Sequence, residues 1–154
     1  MLKTTPSDTT GIKVRTHSLF FMTERGTQFI VITDRVMELV RESGVENGFT
    51  TVFSKHTTAA IIINENEPGL IADMERLLTS MAPEDSHYDH NTFHPTDNGE
   101  RPNGHSHVQH VFLGASEHIP IVGGALTFGI YQRIFLVELD QAREREVVVQ
   151  ILGW

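Results

Sequence analysis

The sequence predicts an α+β domain, mainly an antiparallel β-sandwich with two or three short helices packed on one side. Seven or eight segments have strand-like patterns, and these occur in runs instead of alternating with helices, which argues against a parallel doubly wound sheet. A chain of 154 residues with 39% hydrophobic content is long enough for one domain with its own core. We therefore expect a frayed polar tail over residues 1–10 and a single domain over residues 11–154.

The strands are predicted from period-two alternation or from short apolar runs bounded by turn residues. The longest apolar run, Ala59–Ile63, is typical of a strand buried on both faces. Gly123 and Gly124 separate two apolar segments and predict a hairpin with a two-residue turn. The predicted strands are Lys13–Phe21, Thr27–Ile32, Phe49–Ser54, Ala59–Asn64, Ile119–Val122, Ala125–Phe128, Ile130–Leu139 and Glu146–Leu152, with a turn over Asp140–Arg143 between the last two.

Two helices are predicted from apolar residues at helical spacing. The first covers Asp34–Ser43, with Thr33 as the N-cap and Gly44 as the C-terminal stop. The second begins at Pro68 and ends before Pro83. The apolar stripes are Val36, Leu39 and Val40 in the first helix, and Leu70, Met74, Leu77, Leu78 and Met81 in the second.

Residues 84–104 are polar and are predicted to form a long loop, and a loop of this length in a compact domain is usually functional or disordered. After the loop, His107–Leu113 is predicted as a short helix that ends at Gly114. Its apolar residues, Val108, Val111 and Phe112, are expected to point inward.

Composition excludes several classes of function. The net charge of −8 repels a nucleic-acid backbone. The absence of cysteine excludes disulfides and thiolate catalysis. The N-terminal residues lack the apolar core of a secretory signal, and the longest apolar run is too short to span a bilayer. We therefore expect a cytoplasmic protein that binds neither nucleic acid nor membrane.

Histidine is concentrated in one part of the chain, because seven of the nine histidines lie between residues 87 and 118. Imidazole and carboxylate are common transition-metal ligands and common proton-transfer groups near neutral pH. The stretch therefore predicts a metal or acid/base site, with a solvated polar segment as the alternative. His105 and His107 would face the same way on extended backbone, whereas on a helix His107 would pair with His110.

Two further segments offer polar side chains beside apolar strands. His56, Thr57 and Thr58 lie between two predicted strands, where the hydroxyls either contact phosphate oxygens or simply favour a strand edge. Glu65 lies where a buried strand joins the second helix, and it either complements the helix dipole or reaches a site beside His56. Gln132 is either an amide at the core edge or a substrate contact.

Several blocks together resemble the YjbQ-like protein family, and they occur in that family's order. Two segments depart from its usual pattern: Gly129-Ile130-Tyr131-Gln132 replaces Gly-Thr-Trp-Gln, and Asp140-Gln141-Ala142-Arg143 replaces Asp-Gly-Pro-Arg. The matching blocks are His56-Thr57-Thr58-Ala59-Ala60 with Asn64-Glu65-Asn66, Asp73-Met74-Glu75-Arg76, Tyr88-Asp89-His90, Asn103-Gly104-His105-Ser106-His107 with Leu113-Gly114, and the C-terminal positions Ser116, Ile119, Ile121, Gly124, Gly129, Gln132, Ile134, Glu138-Leu139-Asp140 and Arg143.

The resemblance implies a jelly-roll-like sandwich, assembled as a homotrimer, with thiamine-phosphate synthase activity. That reaction joins hydroxymethylpyrimidine diphosphate to thiazole phosphate and releases diphosphate. The histidines that match the family, His56, His90 and His107, are expected to converge on one divalent ion (Zn, Mn or Mg), with His105 in reserve. Catalytic roles are expected for His56, Glu65 and His107, and substrate contacts for Thr57, Thr58, Asn103 and Gln132; His17, His87, His94, His110 and His118 are expected bystanders.

Two other functions remain open for this sequence. One is metal-assisted hydrolysis of a small phosphorylated or acyl substrate, in which a metal-bound water is the nucleophile. The other is a non-catalytic trimer that binds a metal or a small ligand. A histidine-rich site suits Zn²⁺, Mn²⁺ or Ni²⁺ better than Mg²⁺, which prefers oxygen ligands.

Overall fold

Eight strands form two antiparallel sheets in this computed structural model, which describes residues 11–93 and 101–154. The strands are β1 Lys13–Met22, β2 Gln28–Val31, β3 Asn47–Ser54, β4 Ala59–Glu65, β5 Ser116–Val122, β6 Ala125–Leu126, β7 Gln132–Glu138 and β8 Glu144–Gly153. One sheet has the order β1-β8-β3-β5-β6 and the other has the order β2-β7-β4. The predicted α+β fold with antiparallel sheets is confirmed, while the predicted tail over residues 1–10 and His94 lie outside the described residues.

Four helices accompany the sheets in the described part of the chain, against the two or three predicted. They are α1 Thr33–Ser43, α2 Pro68–Met81, α3 Asp89–Phe93 and α4 Gly104–Leu113. The one-turn helix α3 lies inside the segment predicted as a loop. Its five residues carry no apolar stripe, so hydrophobic periodicity gave no signal for it.

The ends of α1 and α2 differ in how they are capped. Thr33, the predicted N-cap, is instead the first helical residue, and its Oγ1 accepts the Ile134 N–H at 2.8 Å. Gly44 ends α1 with a φ of 64°, as predicted. Glu67 caps α2 by accepting the N–H groups of Gly69 at 2.8 Å and Leu70 at 2.7 Å.

Apolar side chains form two layers, one on each face of the three-stranded sheet. Between the sheets, Leu19 and Val52 pack with Ile61, Ile134 and other aliphatic residues of the larger cluster. On the opposite face, the second layer contains Ala60, Ile62, Phe135, Val137, Leu139 and Leu78, the last from α2. The strands β4 and β7 are therefore buried on both faces, as the apolar run Ala59–Ile63 predicted.

Helix α4 turns a polar face inward, contrary to the sequence prediction. Val108, Val111 and Phe112 are exposed, with 79% of Val111 accessible to solvent. The buried side chains are His105, Ser106 and Gln109, together with Gly104 at the start of the helix. The reversal has a physical reason, because the buried Ser106 and Gln109 side chains satisfy their own donors by bonding to the carbonyls of Leu139, Leu78 and Ala82.

The outer face of the five-stranded sheet carries exposed apolar side chains. Phe20, Met22, Phe49 and Phe53 are each more than 40% exposed. They alternate along β1 and β3 with the inward-facing residues Leu19 and Val52, so they share the face that points away from the core. No helix of residues 11–93 and 101–154 has the length and apolar composition needed to cross a bilayer.

Candidate functional site

His90 of α3 and His107 of α4 form the closest pair of histidines in the candidate site. Their ring centroids lie 4.5 Å apart with an interplanar angle of 60°. The two residues are seventeen positions apart in sequence, and they meet because α3 packs against α4. These are two of the three histidines that the family resemblance implied would share one ion, and the binding of an ion there stays a prediction.

The contact between the two helices depends on Gly104. Its N–H donates to Asn91 Oδ1 at 2.9 Å, and Tyr88 lies directly against its Cα. The Tyr88 hydroxyl in turn donates to the Pro83 carbonyl at 2.7 Å. These bonds position the start of α4 against the Tyr88–Asn91 turn, and therefore His107 beside His90.

Gly104→Ala should destabilise the protein by about 1–3 kcal/mol, the usual cost of overpacking a filled site. The new Cβ would lie 2.6 Å from Tyr88 Cβ, so the Tyr88 turn and α4 must move apart. Urea unfolding followed by circular dichroism measures the loss. In the control Gly129→Ala, the nearest atom is the end of the Gln132 side chain at 3.3 Å, so a smaller loss is expected. Equal stability of Gly104→Ala and the wild type would contradict the packing argument.

His107 is uncharged near neutral pH. Burial lowers its pKa below the ordinary value, and the adjacent His90 lowers it further, while Asp140 acts in the opposite direction. A lowered pKa leaves a ring-nitrogen lone pair available over the physiological range. The pair therefore combines two imidazoles at close range, and the lowered pKa of His107 favours the neutral ring that can bind a cation.

His56 has a different set of neighbours. Its Nε2 accepts the backbone N–H of Glu146 at 2.8 Å, which places the proton of the neutral ring on Nδ1. Burial is the main reason that the pKa of His56 is lowered, and the positive charge of Arg145 adds to the effect. His56 is thus a neutral imidazole, with Nδ1 as its remaining donor.

A buried ion pair lies under His56. Arg145 Nε donates to Glu138 Oε2 at 2.5 Å, and the two side chains are at most 2% exposed. Arg145 Nη2 also donates to Thr58 Oγ1 at 3.0 Å. The Thr23 hydroxyl and the N–H groups of Leu139 and Asp140 complete the bonds to the Glu138 carboxylate. Of the two threonines predicted to contact substrate, Thr58 is buried and hydrogen-bonded to this ion pair, whereas Thr57 is exposed.

A second charged cluster surrounds Asp140. Its Oδ2 accepts from Arg143 Nη2 at 2.6 Å and from Asn103 Nδ2 at 3.3 Å, and its backbone carbonyl accepts from Arg101 Nη2 at 3.0 Å. Asn103, predicted to contact substrate, thus contacts a carboxylate. His105 lies nearby, and burial lowers its pKa.

Comparison with known proteins identifies the family. The family model described as UPF0047 protein YjbQ-like matches residues 17–154. The chain belongs to the YjbQ-like UPF0047 family. A UPF0047 protein of Methanothermobacter thermautotrophicus is 39% identical over 142 residues, which cover 92% of this chain and 94% of that protein. Bacillus subtilis YugU, another UPF0047 protein, is 30% identical over 88% of this chain and 98% of its own.

Solved structures show the same fold. A crystal structure of a protein of unknown function from Sulfolobus solfataricus P2 has a TM-score of 0.86 and 37% identity, covering 94% of this chain and all of that one. A hypothetical protein from Aeropyrum pernix K1 has a TM-score of 0.83 and 36% identity, covering 91% of this chain and 99% of its own. The YjbQ-like resemblance is confirmed over nearly the whole domain.

Two predicted site residues of this YjbQ-like chain lie far from His56. Glu65 and Gln132 face each other across β4 and β7, at the opposite end of the strands from Ala59 and Glu138. Six residues of extended strand separate Ala59 from Glu65, or about 20 Å. The Gln132 side chain accepts the Gly129 N–H at 2.7 Å. Within one chain, Glu65 and Gln132 therefore lie apart from His56.

Within residues 11–93 and 101–154, no three His, Asp or Glu side chains are grouped closely enough to hold a metal ion. The structure of this YjbQ-like chain thus contributes a histidine pair to the predicted site, and His56 stands apart from it. Sequence reasoning overlooked the Glu138–Arg145 pair. A signal was present, because both residues occupy inward-facing positions of otherwise apolar strands, where an unpaired charge is costly.

Proposed function

We propose that this YjbQ-like chain binds a divalent transition metal through His90 and His107 and acts there on a small phosphorylated substrate. Thiamine-phosphate synthesis is the reaction that the family resemblance implies. The single observation that carries the proposal is the close pair of imidazoles on α3 and α4, 4.5 Å between centroids.

The donor set suits an imidazole-binding ion. Two nitrogens that bind the same zinc ion lie within about 4.2 Å of each other, because each Zn–N bond is about 2.1 Å long. Ring centroids 4.5 Å apart allow one nitrogen of His90 and one of His107 to meet that limit. A bound divalent ion polarises phosphate oxygens and stabilises a departing diphosphate. Two protein ligands leave positions open for substrate, and Zn²⁺ or Mn²⁺ fits imidazole better than Mg²⁺ does.

Cationic side chains near the pair support a phosphorylated substrate. The guanidinium groups of Arg101 and Arg143 both contact Asp140, whose charge acts on His107. Guanidinium groups bind phosphate oxygens in bidentate fashion. His56 contributes a neutral ring whose Nδ1–H can be donated to an oxygen of the substrate or leaving group.

The test combines metal binding with turnover. Metal-free protein is titrated calorimetrically with Zn²⁺, Mn²⁺ and Mg²⁺, and thiamine phosphate formation is then measured from its two precursors with each ion. We expect Zn²⁺ or Mn²⁺ to bind, His90→Ala and His107→Ala to lose binding at least tenfold, and the exposed control His87→Ala to keep it. Release of phosphate from one precursor alone would favour hydrolysis. Ion binding without turnover would favour the non-catalytic binding protein.

We also propose a homotrimer that covers the exposed outer face of the five-stranded sheet. The aromatic side chains Phe20, Phe49 and Phe53 would be buried between subunits, and closed symmetry would protect sheet edges from open-ended pairing. Light scattering should give about 52 kDa, three times the 17.3 kDa chain mass. Phe20→Asp should dissociate the assembly, whereas the control Met37→Asp on α1 should not. A wild-type mass of half the trimer value or less at micromolar protein would refute this assembly.

A further inference from the structure

A small polar cavity is lined by Asp140 and Arg101, and neither His90 nor His107 lines it. It has a volume of about 230 Å³ and is enclosed by the C-terminal half of α2, by α4 and by the residues that follow β7. Thr79, Ala82 and Glu84 line one side, and His105, Gln109 and Asp140 line the other. The last three are buried, with at most 5% of each residue exposed.

His105 contributes a hydrogen-bond acceptor to this wall. The Ser106 hydroxyl donates its hydrogen to the Leu139 carbonyl at 2.7 Å, so the Ser106 oxygen must accept from His105 Nε2–H at 3.1 Å. The second nitrogen of the neutral ring, Nδ1, then carries a lone pair. This atom is buried and has no hydrogen-bond partner among the described residues.

Gln109 and Asp140 each contribute another acceptor. The Gln109 amide nitrogen donates to the carbonyls of Leu78 and Ala82, which fixes the amide orientation and leaves Oε1 pointing away from them. Asp140 uses Oδ2 for Arg143 and Asn103. In the described part of the chain, Gln109 Oε1 and Asp140 Oδ1 are both buried without a hydrogen-bond partner. Arg101 also lines the cavity, and its Nε lies 4.0 Å from Asp140 Oδ1, beyond hydrogen-bond distance.

We propose that this cavity binds a small molecule whose recognition end is a cluster of N–H donors, as in a urea, an amidine or a guanidine. Three buried acceptors lie on residues that line one cavity, and each is costly to desolvate unless a donor reaches it. The volume is below the roughly 300–1,000 Å³ typical of drug-sized ligands, which limits the ligand to a compact group.

The lining charges do not demand an ion of either sign. Arg101 lies 3.4 Å from Glu84, and Arg143 lies 2.6 Å from Asp140, so each carboxylate has a guanidinium partner. The arrangement of the ligand's N–H donors therefore decides which molecule binds, and the ligand's net charge has a smaller effect on affinity. The cavity shares Asp140 and Arg101 with the surroundings of the His90–His107 pair, but its acceptors are different atoms from the two proposed metal-binding rings.

Nuclear magnetic resonance titration tests the proposal with urea and guanidinium at sub-denaturing concentrations. Acetone serves as a planar probe of the same shape as urea without N–H donors, and inorganic phosphate serves as an anion. We expect urea or guanidinium to shift the side-chain signals of Gln109 and His105 saturably. Acetone and phosphate should bind at least tenfold more weakly than these two probes. If urea has the higher affinity the ligand is neutral, and if guanidinium has the higher affinity the ligand is cationic.

A matched pair of variants localises the binding. Thr79→Phe puts a ring into the cavity from an exposed helical position and should weaken the probe at least tenfold, while Ser80→Phe, one position along α2 and outside the lining, should not. Zinc titration of Thr79→Phe should match that of the wild type. Three results would each overturn the proposal: no saturable shift with any N–H probe, equal binding of acetone and urea, or unchanged probe binding by Thr79→Phe. The three acceptors would then be hydrogen-bonded to water.

Discussion

Replacing Arg145 by methionine should lower the free energy of unfolding by about 3–5 kcal/mol, the cost of leaving a buried charge without its partner. Glu138 would keep a carboxylate that is fully buried, and Thr58 would lose its bond from Arg145 Nη2. Urea denaturation followed by circular dichroism measures the change, and the midpoint should fall while the slope stays the same.

Two controls separate the charge from the loss of packing. Lys55→Met removes a partly exposed ion pair with Glu146 and should cost less than about 1 kcal/mol. The double variant Glu138→Gln with Arg145→Met keeps an acceptor for the N–H groups of Leu139 and Asp140 but removes the charge. It should be more stable than Arg145→Met alone. If it is not, the buried charge is not the cause of the loss.

Replacing His107 by alanine should reduce thiamine phosphate formation by about 10²-fold or more, provided that the proposed activity is correct. The variant removes one of the two imidazoles of the pair, and with it the lone pair that is proposed to bind the metal. His56→Ala should cause a loss of similar size, because its Nδ1–H is held in place by the bond to Glu146 N–H. Steady-state rates with saturating precursors and metal measure both effects.

The exposed His87 provides the comparison. Its side chain contacts Asp89 Oδ1 at 3.2 Å, and its replacement by alanine should leave the rate unchanged. Full activity of His107→Ala would place the chemistry elsewhere. Glu65→Gln adds a further distinction. It should leave the rate unchanged if one chain builds the site, and should slow it if Glu65 reaches the histidines of a neighbouring subunit.

The sheets could be predicted from sequence because their signals are local. Alternation identified β1, the apolar run Ala59–Ile63 identified the doubly buried β4, and Gly123-Gly124 marked the hairpin between β5 and β6. Each of these patterns follows directly from which faces of a strand meet the core.

Helix α4 could not be predicted in the same way, because tertiary contacts decided its orientation. Val111 and Phe112 are exposed while Ser106 and Gln109 are buried, since the layer that α4 covers presents backbone carbonyls that accept from the Ser106 and Gln109 side chains. A hydrophobicity pattern does not record where unpaired carbonyls will lie.

The candidate site was only partly predictable for a related reason. The family resemblance singled out His90 and His107, and the structure brings them together through the packing of Gly104 on Tyr88. The separation of Glu65 from His56 was already implied by the predicted strand Ala59–Asn64, because extended backbone from Ala59 to Glu65 keeps these two residues about 20 Å apart.

The position of β8 has a consequence for synthesis of the chain on the ribosome. β8 lies between β1 and β3, and its register with β1 joins residues more than 120 positions apart, from Met22–Glu144 to Lys13–Gly153. Until β8 has been translated, β1 has no neighbour in its sheet, and such long-range pairing forms slowly. The nascent chain therefore exposes Leu19 and the rest of the β1 apolar face throughout elongation, which makes it a substrate for chaperones that bind apolar segments.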